Sequence, residues 1–347
     1  MATLTINGIP HFLEWVTATG QPPQAQETGR KPVMVFVHGW GGSARYWRPV
    51  AAALTSTFDC LLYDLRGFGR TAGLIQPDQL EHEAEQELDV TKLDVTKLDG
   101  SRPNHSNPLD AVYQMGSYAQ DLATLLAQLD LRDVTLMAHS MGASIATLMV
   151  GLQDSDRRVK RMVLTCSGIF TYNRLSFQAF HVLGGAITSI RPGWLRRVPG
   201  MDRIFTARFL SKGIPAAQRQ ELLDDYLMGD AVAVEGTIYT AVSVQATQEM
   251  PQALQSLQIP TLLIAGEYDQ IIPTRLAEKA VAQNPEQICY VEMPGVGHFP
   301  MLEDPEGYLE VLGAFLQRES VDWDPPSQPF DQELESDDKE KNSQVSQ

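Results

Sequence analysis

The chain turns on the stretch Val134-Thr135-Leu136-Met137-Ala138-His139-Ser140-Met141-Gly142-Ala143-Ser144-Ile145-Ala146. Val134 to Ala138 carry no charge and no breaker, the pattern of a strand buried on both faces. Residues 143–150 form an apolar run suited to a buried helix. A chain that passes from strand to helix this quickly forces its turn residue into a strained conformation and leaves that side chain exposed at the tip. Ser140 stands at the tip, beside the amino end of the helix. The pattern is a nucleophile elbow, G-x-S-x-G, with Ala138 in place of the first glycine. Alanine is small enough to allow the close approach of strand and helix.

On either side of the elbow, strand and helix signals alternate. Residues 4–9 and 12–17 are short, partly alternating runs separated by Gly8 and Pro10, which suits an opening pair of strands. Residues 32–37 are a continuous apolar run leading into His38-Gly39-Trp40-Gly41-Gly42-Ser43, where Ser43 is placed to cap a helix reaching about Leu54. A strand at 58–64 follows, ending in Leu65-Arg66-Gly67-Phe68-Gly69-Arg70. A helix is expected at 117–129, strands at 159–166, 261–265 and 288–293, and a closing helix at 306–318. This alternation predicts an α/β fold, a mostly parallel sheet with helices on both faces.

Three stretches break the pattern. Residues 74–110 hold nine acidic and three basic side chains and a duplicated Leu-Asp-Val-Thr-Lys, which reads as a mobile acidic surface insertion. Residues 167–258 are rich in large apolar side chains, among them Phe170, Phe177, Phe180, Trp194, Phe205, Phe209 and Tyr226, and read as a helical cap inserted over the sheet. Residues 319–347 hold nine acidic against two basic side chains, together with Pro325, Pro326 and Pro329, and read as a disordered tail. The core is thus expected in two parts, 1–166 and 259–318.

Most of the net charge of −16 lies in the insertion and the tail, so the body has an ordinary balance. The acidity argues against nucleic acid as a partner, because phosphate binding requires a basic face. The three cysteines, Cys60, Cys166 and Cys289, fall in apolar runs without C-x-x-C or metal spacing and read as buried thiols. The first residues lack the basic and apolar regions of a signal peptide, and no apolar run approaches the ~20 residues that span a bilayer. A cytoplasmic location is the expectation.

A serine nucleophile needs a base, and the base needs an acid to orient it. Asp269, in Gly266-Glu267-Tyr268-Asp269, follows one buried strand, and His298, in Gly295-Val296-Gly297-His298-Phe299, follows another. Loops at the carboxyl ends of parallel strands converge where open α/β folds bind ligands. Glu267 and Asp304 are rival acids. His38 and His139 stand inside motifs and are expected to support loops, while His11, His82, His105 and His181 lie outside any motif.

The set His38-Gly39-Trp40-Gly41-Gly42, Asp64-Leu65-Arg66-Gly67-Phe68-Gly69, the elbow and the loops of Asp269 and His298 resembles the α/β-hydrolase superfamily, in its branch with a helical cap. The marks run in order across residues 33–316. The resemblance implies Ser140 as nucleophile, His298 as base and Asp269 as its orienting acid. It implies an oxyanion hole from the backbone N–H groups of Trp40 and Met141, and a pocket lined by the side chains of Trp40 and Phe299. The serine excludes relatives whose chemistry runs through an aspartate ester. The implied substrate is a small molecule, a carboxylic ester or thioester with an apolar acyl group. Carbon–carbon hydrolysis and acyl transfer are alternatives, and a non-catalytic binding protein on the same fold is a third. No motif supports a metal or nucleotide cofactor. Residues 191–219 carry seven basic side chains against Asp202; a solvated cap face is one reading, weak contact with an anionic membrane surface the other.

Overall fold

The computed structural model describes residues 2–23, 31–74, 112–153, 156–169, 191–240 and 244–317. The acidic insertion beyond Leu74, cap residues 170–190 with Phe170, Phe177 and Phe180, and the tail lie outside the described residues.

Eight strands form one sheet: β1 (Ala2–Ile6), β2 (Ile9–Val16), β3 (Val33–Val37), β4 (Asp59–Tyr63), β5 (Val134–His139), β6 (Val159–Thr165), β7 (Thr261–Gly266) and β8 (Ile288–Met293), in the order β1-β2-β4-β3-β5-β6-β7-β8. β3 to β8 are mutually parallel, and β1 and β2 add an antiparallel edge against β4. Asn7 and Gly8 both take positive φ and close the β1–β2 hairpin. Every residue of β3, β5 and β7 is buried, as their unbroken apolar runs require. β8, at the edge, is partly exposed, so Cys289 is only half-buried where a buried thiol was expected.

Alternate residues of β3 enter two separate cores. Val33, Val35 and Val37 pack beneath α2 (Met115–Gln128) and α3 (Met141–Leu148), through Leu122, Leu125 and Ile145. Met34 and Phe36 pack on the other face beneath α1 (Arg48–Leu54) and the closing helix. Between β6 and β7 lie a 3₁₀ turn at Gly193–Arg197, α4 (Met201–Thr206), α5 (Ala216–Met228), α6 (Ala231–Thr240) and α7 (Val244–Gln255). α7 leads the chain back to the sheet and leans on α3, and just beyond both helices Ser256 Oγ donates to the Gly151 carbonyl at 2.8 Å. α8 (Thr274–Val281) follows β7, and α9 (Pro300–Glu303) and α10 (Pro305–Leu316) follow β8. Among the described residues no helix is long and apolar enough to cross a membrane.

The helix after the elbow starts at Met141, earlier than the apolar run suggests, and ends in a π-helical turn at Met149–Gln153. Its early start is sterically exacting. A Cβ on Gly142 would stand 2.4 Å from the His38 carbonyl oxygen, so only glycine lets α3 begin against the end of β3.

The Asp64-Leu65-Arg66 motif anchors the loop after β4. Arg66 donates from Nε and Nη2 to the two carboxylate oxygens of Asp121 in α2, both at 2.6 Å, and the pair is almost wholly buried. Burial alone would raise the Asp121 carboxyl, but the Arg66 charge prevails and holds it at about 2. Such a group stabilises the fold above its unfolded pKa, near 4, and the contribution is lost as pH falls toward 2. Asp121→Asn strands a buried guanidinium and should cost about 3–5 kcal/mol in urea unfolding at neutral pH. That deficit should shrink on acidification.

Candidate active site

Three loops at the carboxyl ends of β5, β7 and β8 meet over the sheet. Ser140 sits between β5 and α3 with φ +53° and ψ −120°, a conformation that L-residues avoid, and its backbone N–H donates to the Thr165 carbonyl at 2.9 Å. Asp269 follows β7 and His298 follows β8. A Cβ on Gly266 would lie 2.0 Å from the Gly297 oxygen, so these two loops touch backbone to backbone only because residue 266 is glycine.

The structure brings together the three side chains singled out in the sequence. His298 Nδ1 lies 2.7 Å from Asp269 Oδ2, and His298 Nε2 lies 3.0 Å from Ser140 Oγ. A carboxylate only accepts, so Nδ1 carries the proton and Nε2 is left to accept from the serine hydroxyl. Asp269 and His298 are buried, whereas Ser140 is half-buried and open to the cavity. Burial would raise the Asp269 carboxyl, but the His298 charge and the N–H donors of Ile272 and Ile271 outweigh it and hold the group below the usual carboxylate range. The rival acids are engaged elsewhere. Glu267 accepts from Gly295 N, and Asp304 caps α10 by accepting from Gly307 N.

The two motif histidines hold loops in place. His38 Nε2 accepts from Leu65 N, so its Nδ1–H donates to the Gly39 carbonyl. His139 belongs to a longer relay. Gly39 N–H donates to the Tyr46 hydroxyl at 2.6 Å, that hydroxyl donates to His139 Nδ1 at 2.9 Å, and His139 Nε2–H donates to the His298 carbonyl at 2.7 Å. The relay needs a neutral ring at His139, and burial lowers its pKa well below the ordinary value.

Around Ser140 the described residues enclose a cavity of about 80 Å³ lined mainly by Trp40, Phe205, Phe209, Leu222, Tyr226, Ile271 and Phe299. Trp40 and Phe299 both line this cavity, and the Trp40 indole N–H also donates to the Val234 carbonyl in α6. Met141 opens α3, and the first N–H groups of a helix have no intrahelical acceptor. His139, Cys166 and His298 also approach one another closely, but both nitrogens of His139 are taken up in the relay.

The sequence matches the model of the alpha/beta hydrolase family over residues 34–311. The chain belongs to this family. An uncharacterized protein of Mycobacterium tuberculosis is 25% identical over 318 residues, covering 88% of this chain and 82% of its own length. A pimeloyl-[acyl-carrier protein] methyl ester esterase of Edwardsiella ictaluri is 23% identical over 290 residues, covering 83% and 94%. Among solved structures, an esterase from Exiguobacterium antarcticum superposes with a TM-score of 0.66 at 17% identity, covering 91% of this chain and 99% of that one.

Two carboxylates of this hydrolase went unrecognised in the sequence. Glu303, in α9, accepts from Gly297 N and Phe299 N on either side of His298, and from Ser211 N and Lys212 N in the cap. Asp225, in α5, accepts from Ser43 Oγ at 2.7 Å and pairs with Arg45, tying the cap to the loop that carries Trp40. Neither lies in a recognisable motif; each works through partners distant in sequence.

Gln at position 303 would keep one acceptor oxygen and oppose the remaining N–H groups with its own. Glu303→Gln should lower kcat about 100-fold with KM little changed, as expected when a reacting group is misplaced by about 1 Å. Burial pushes the Asp225 carboxyl up to about 6, against the pull of Arg45 and Ser43. A carboxyl raised on folding contributes most below its unfolded pKa, near 4, and the contribution is lost as pH rises through about 6. Measured against Asp225→Asn, wild type should lose about 3 kcal/mol of unfolding free energy across that interval.

Proposed function

We propose that this hydrolase cleaves a carboxylic ester or thioester with an apolar acyl group through a Ser140–His298–Asp269 triad. The observation that carries the reading is the unbroken hydrogen-bonded line from Ser140 Oγ through His298 to Asp269, at 3.0 and 2.7 Å. Ser140 Oγ attacks the acyl carbon while His298 Nε2 takes its proton. The carbonyl oxygen becomes an oxyanion that accepts from the N–H groups of Trp40 and Met141. His298 then gives the proton to the departing alcohol or thiol, leaving the acyl group on Ser140. Water, deprotonated by His298, attacks the acyl-enzyme, and Ser140 leaves with its proton restored. Asp269, held ionised, keeps the imidazole in the required tautomer and stabilises its charged form.

The apolar lining favours an apolar acyl group.

A fluorophosphonate probe should label the wild type, and Ser140→Ala should abolish labelling and lower p-nitrophenyl acetate turnover about 10⁶-fold. Asp269→Asn should retain the fold and lose about 10⁴-fold in kcat. A folded wild type that neither labels nor turns over esters would overturn the proposal. Labelling without ester turnover would redirect it to carbon–carbon hydrolysis or acyl transfer.

A further inference from the structure

The cap has two contrasting faces. Its inner side supplies Phe205, Phe209, Leu222 and Tyr226 to the cavity. The 3₁₀ turn Gly193–Arg197 and α4 both pack on α5, and their outer sides present the two most exposed large hydrophobic side chains among the described residues, Trp194 at 61% and Ile204 at 70%. Between and beside them Arg196, Arg197, Arg203 and Arg208 are exposed.

The structure divides the seven basic residues of this segment. Arg191 donates to the Tyr226 carbonyl, Lys212 pairs with Asp304, and Arg219 pairs with Asp202, the segment's one acidic side chain. Four exposed arginines therefore share the segment 194–208 with an exposed indole and an exposed isoleucine, on a chain whose net charge is −16. Solvation alone explains the arginines but leaves Trp194 and Ile204 without a reason to stand in water.

We propose that this outer face of the cap docks on an anionic lipid bilayer, with Trp194 and Ile204 entering the headgroup region and the four arginines meeting lipid phosphates. Charge complementarity selects the anionic surface, and an indole is well suited to an interface with one apolar and one wet side. The chain's own acidic tail is the competing occupant, which removal of residues 319–347 distinguishes. The described chain leaves α10 where Arg161 Nη1, near the start of β6, donates to the Leu316 carbonyl at 2.7 Å. That is the amino end of the parallel strands, the end opposite the Ser140 loop. The surface stands independently of the ester reading. Taken together, they put the cavity one helix layer from the membrane, where small apolar esters concentrate by partitioning.

The test is co-sedimentation of the full chain with vesicles of phosphatidylcholine alone and of an equimolar mixture with phosphatidylglycerol. Binding should be at least about tenfold tighter to the mixed vesicles and should fall steeply with added salt. Combined charge reversal (R196E, R197E, R203E, R208E) should abolish the preference. Trp194→Ser with Ile204→Ser should weaken binding to the mixed vesicles about tenfold. Thermal unfolding of each variant should match wild type, which separates lost docking from lost folding. Equal binding to both vesicle types, retention of binding by the charge-reversed variant, or no binding by wild type would overturn the proposal. Binding that emerges only after removal of residues 319–347 would also overturn it, by assigning the face to the tail. Because the readout is sedimentation, failure here leaves the ester reading untouched, and failure of the labelling experiment leaves this one untouched.

Discussion

The architecture of this site rests on one steric requirement, that α3 begin against the carboxyl end of β3 with no side chain between them. Gly142 meets that requirement, and Ser140, two residues earlier, is forced to positive φ as the chain turns. A residue held in this way costs about 1–3 kcal/mol, and it persists because the neighbouring structure allows nothing else. Here β5 is buried along its whole length and α3 is packed on nearly every side. The elbow is therefore fixed before any substrate arrives. The loops of Asp269 and His298 are then aimed at it by the parallel register of β7 and β8, from Thr261 opposite Ile288 to Gly266 opposite Met293.

Around that fixed point the electrostatics are divided between neighbours a few ångströms apart. His139 and His298 have ring centroids 4.8 Å apart, yet one is held neutral by burial and the other faces an ionised carboxylate. The neutral ring has a positional task, linking Tyr46 to the backbone of His298 through both nitrogens. A second positive charge there would oppose any positive charge on the His298 ring, 4.8 Å away. Placing the uncharged ring beside the working one thus serves geometry and charge together.

Much of this was readable from residue order, and the division between what was readable and what was not has a physical basis. Unbroken apolar runs gave β3, β5 and β7 because central parallel strands are buried on both faces. Ser140, Asp269 and His298 were legible because each follows such a strand directly, so local sequence announces position. Glu303 and Asp225 were not. Asp225 meets Ser43 across 182 positions, and Glu303 meets Ser211 across 92, and no local pattern encodes such a meeting. Asp304, a rival acid by its place in the sequence, instead caps α10, as its neighbour Pro305 at the first helical position suits. The exact start of α3 was also missed, since apolar periodicity is silent about a helix whose first residue belongs to the turn.

The cap's hydrogen bonds reach the core on both sides of Ser140. Asp225 and the Val234 carbonyl hold the loop of Trp40, while the Phe209 carbonyl accepts from His298 N at 2.7 Å and the N–H groups of Ser211 and Lys212 share Glu303 with the histidine loop. A segment wired in this manner is not an interchangeable part. Recombination that exchanged it for the cap of another hydrolase would bring a new specificity and at the same time remove the anchors of the Trp40 and His298 loops. In this lineage, new substrate ranges are therefore more accessible through point changes on the cap's inner wall than through shuffling of whole caps.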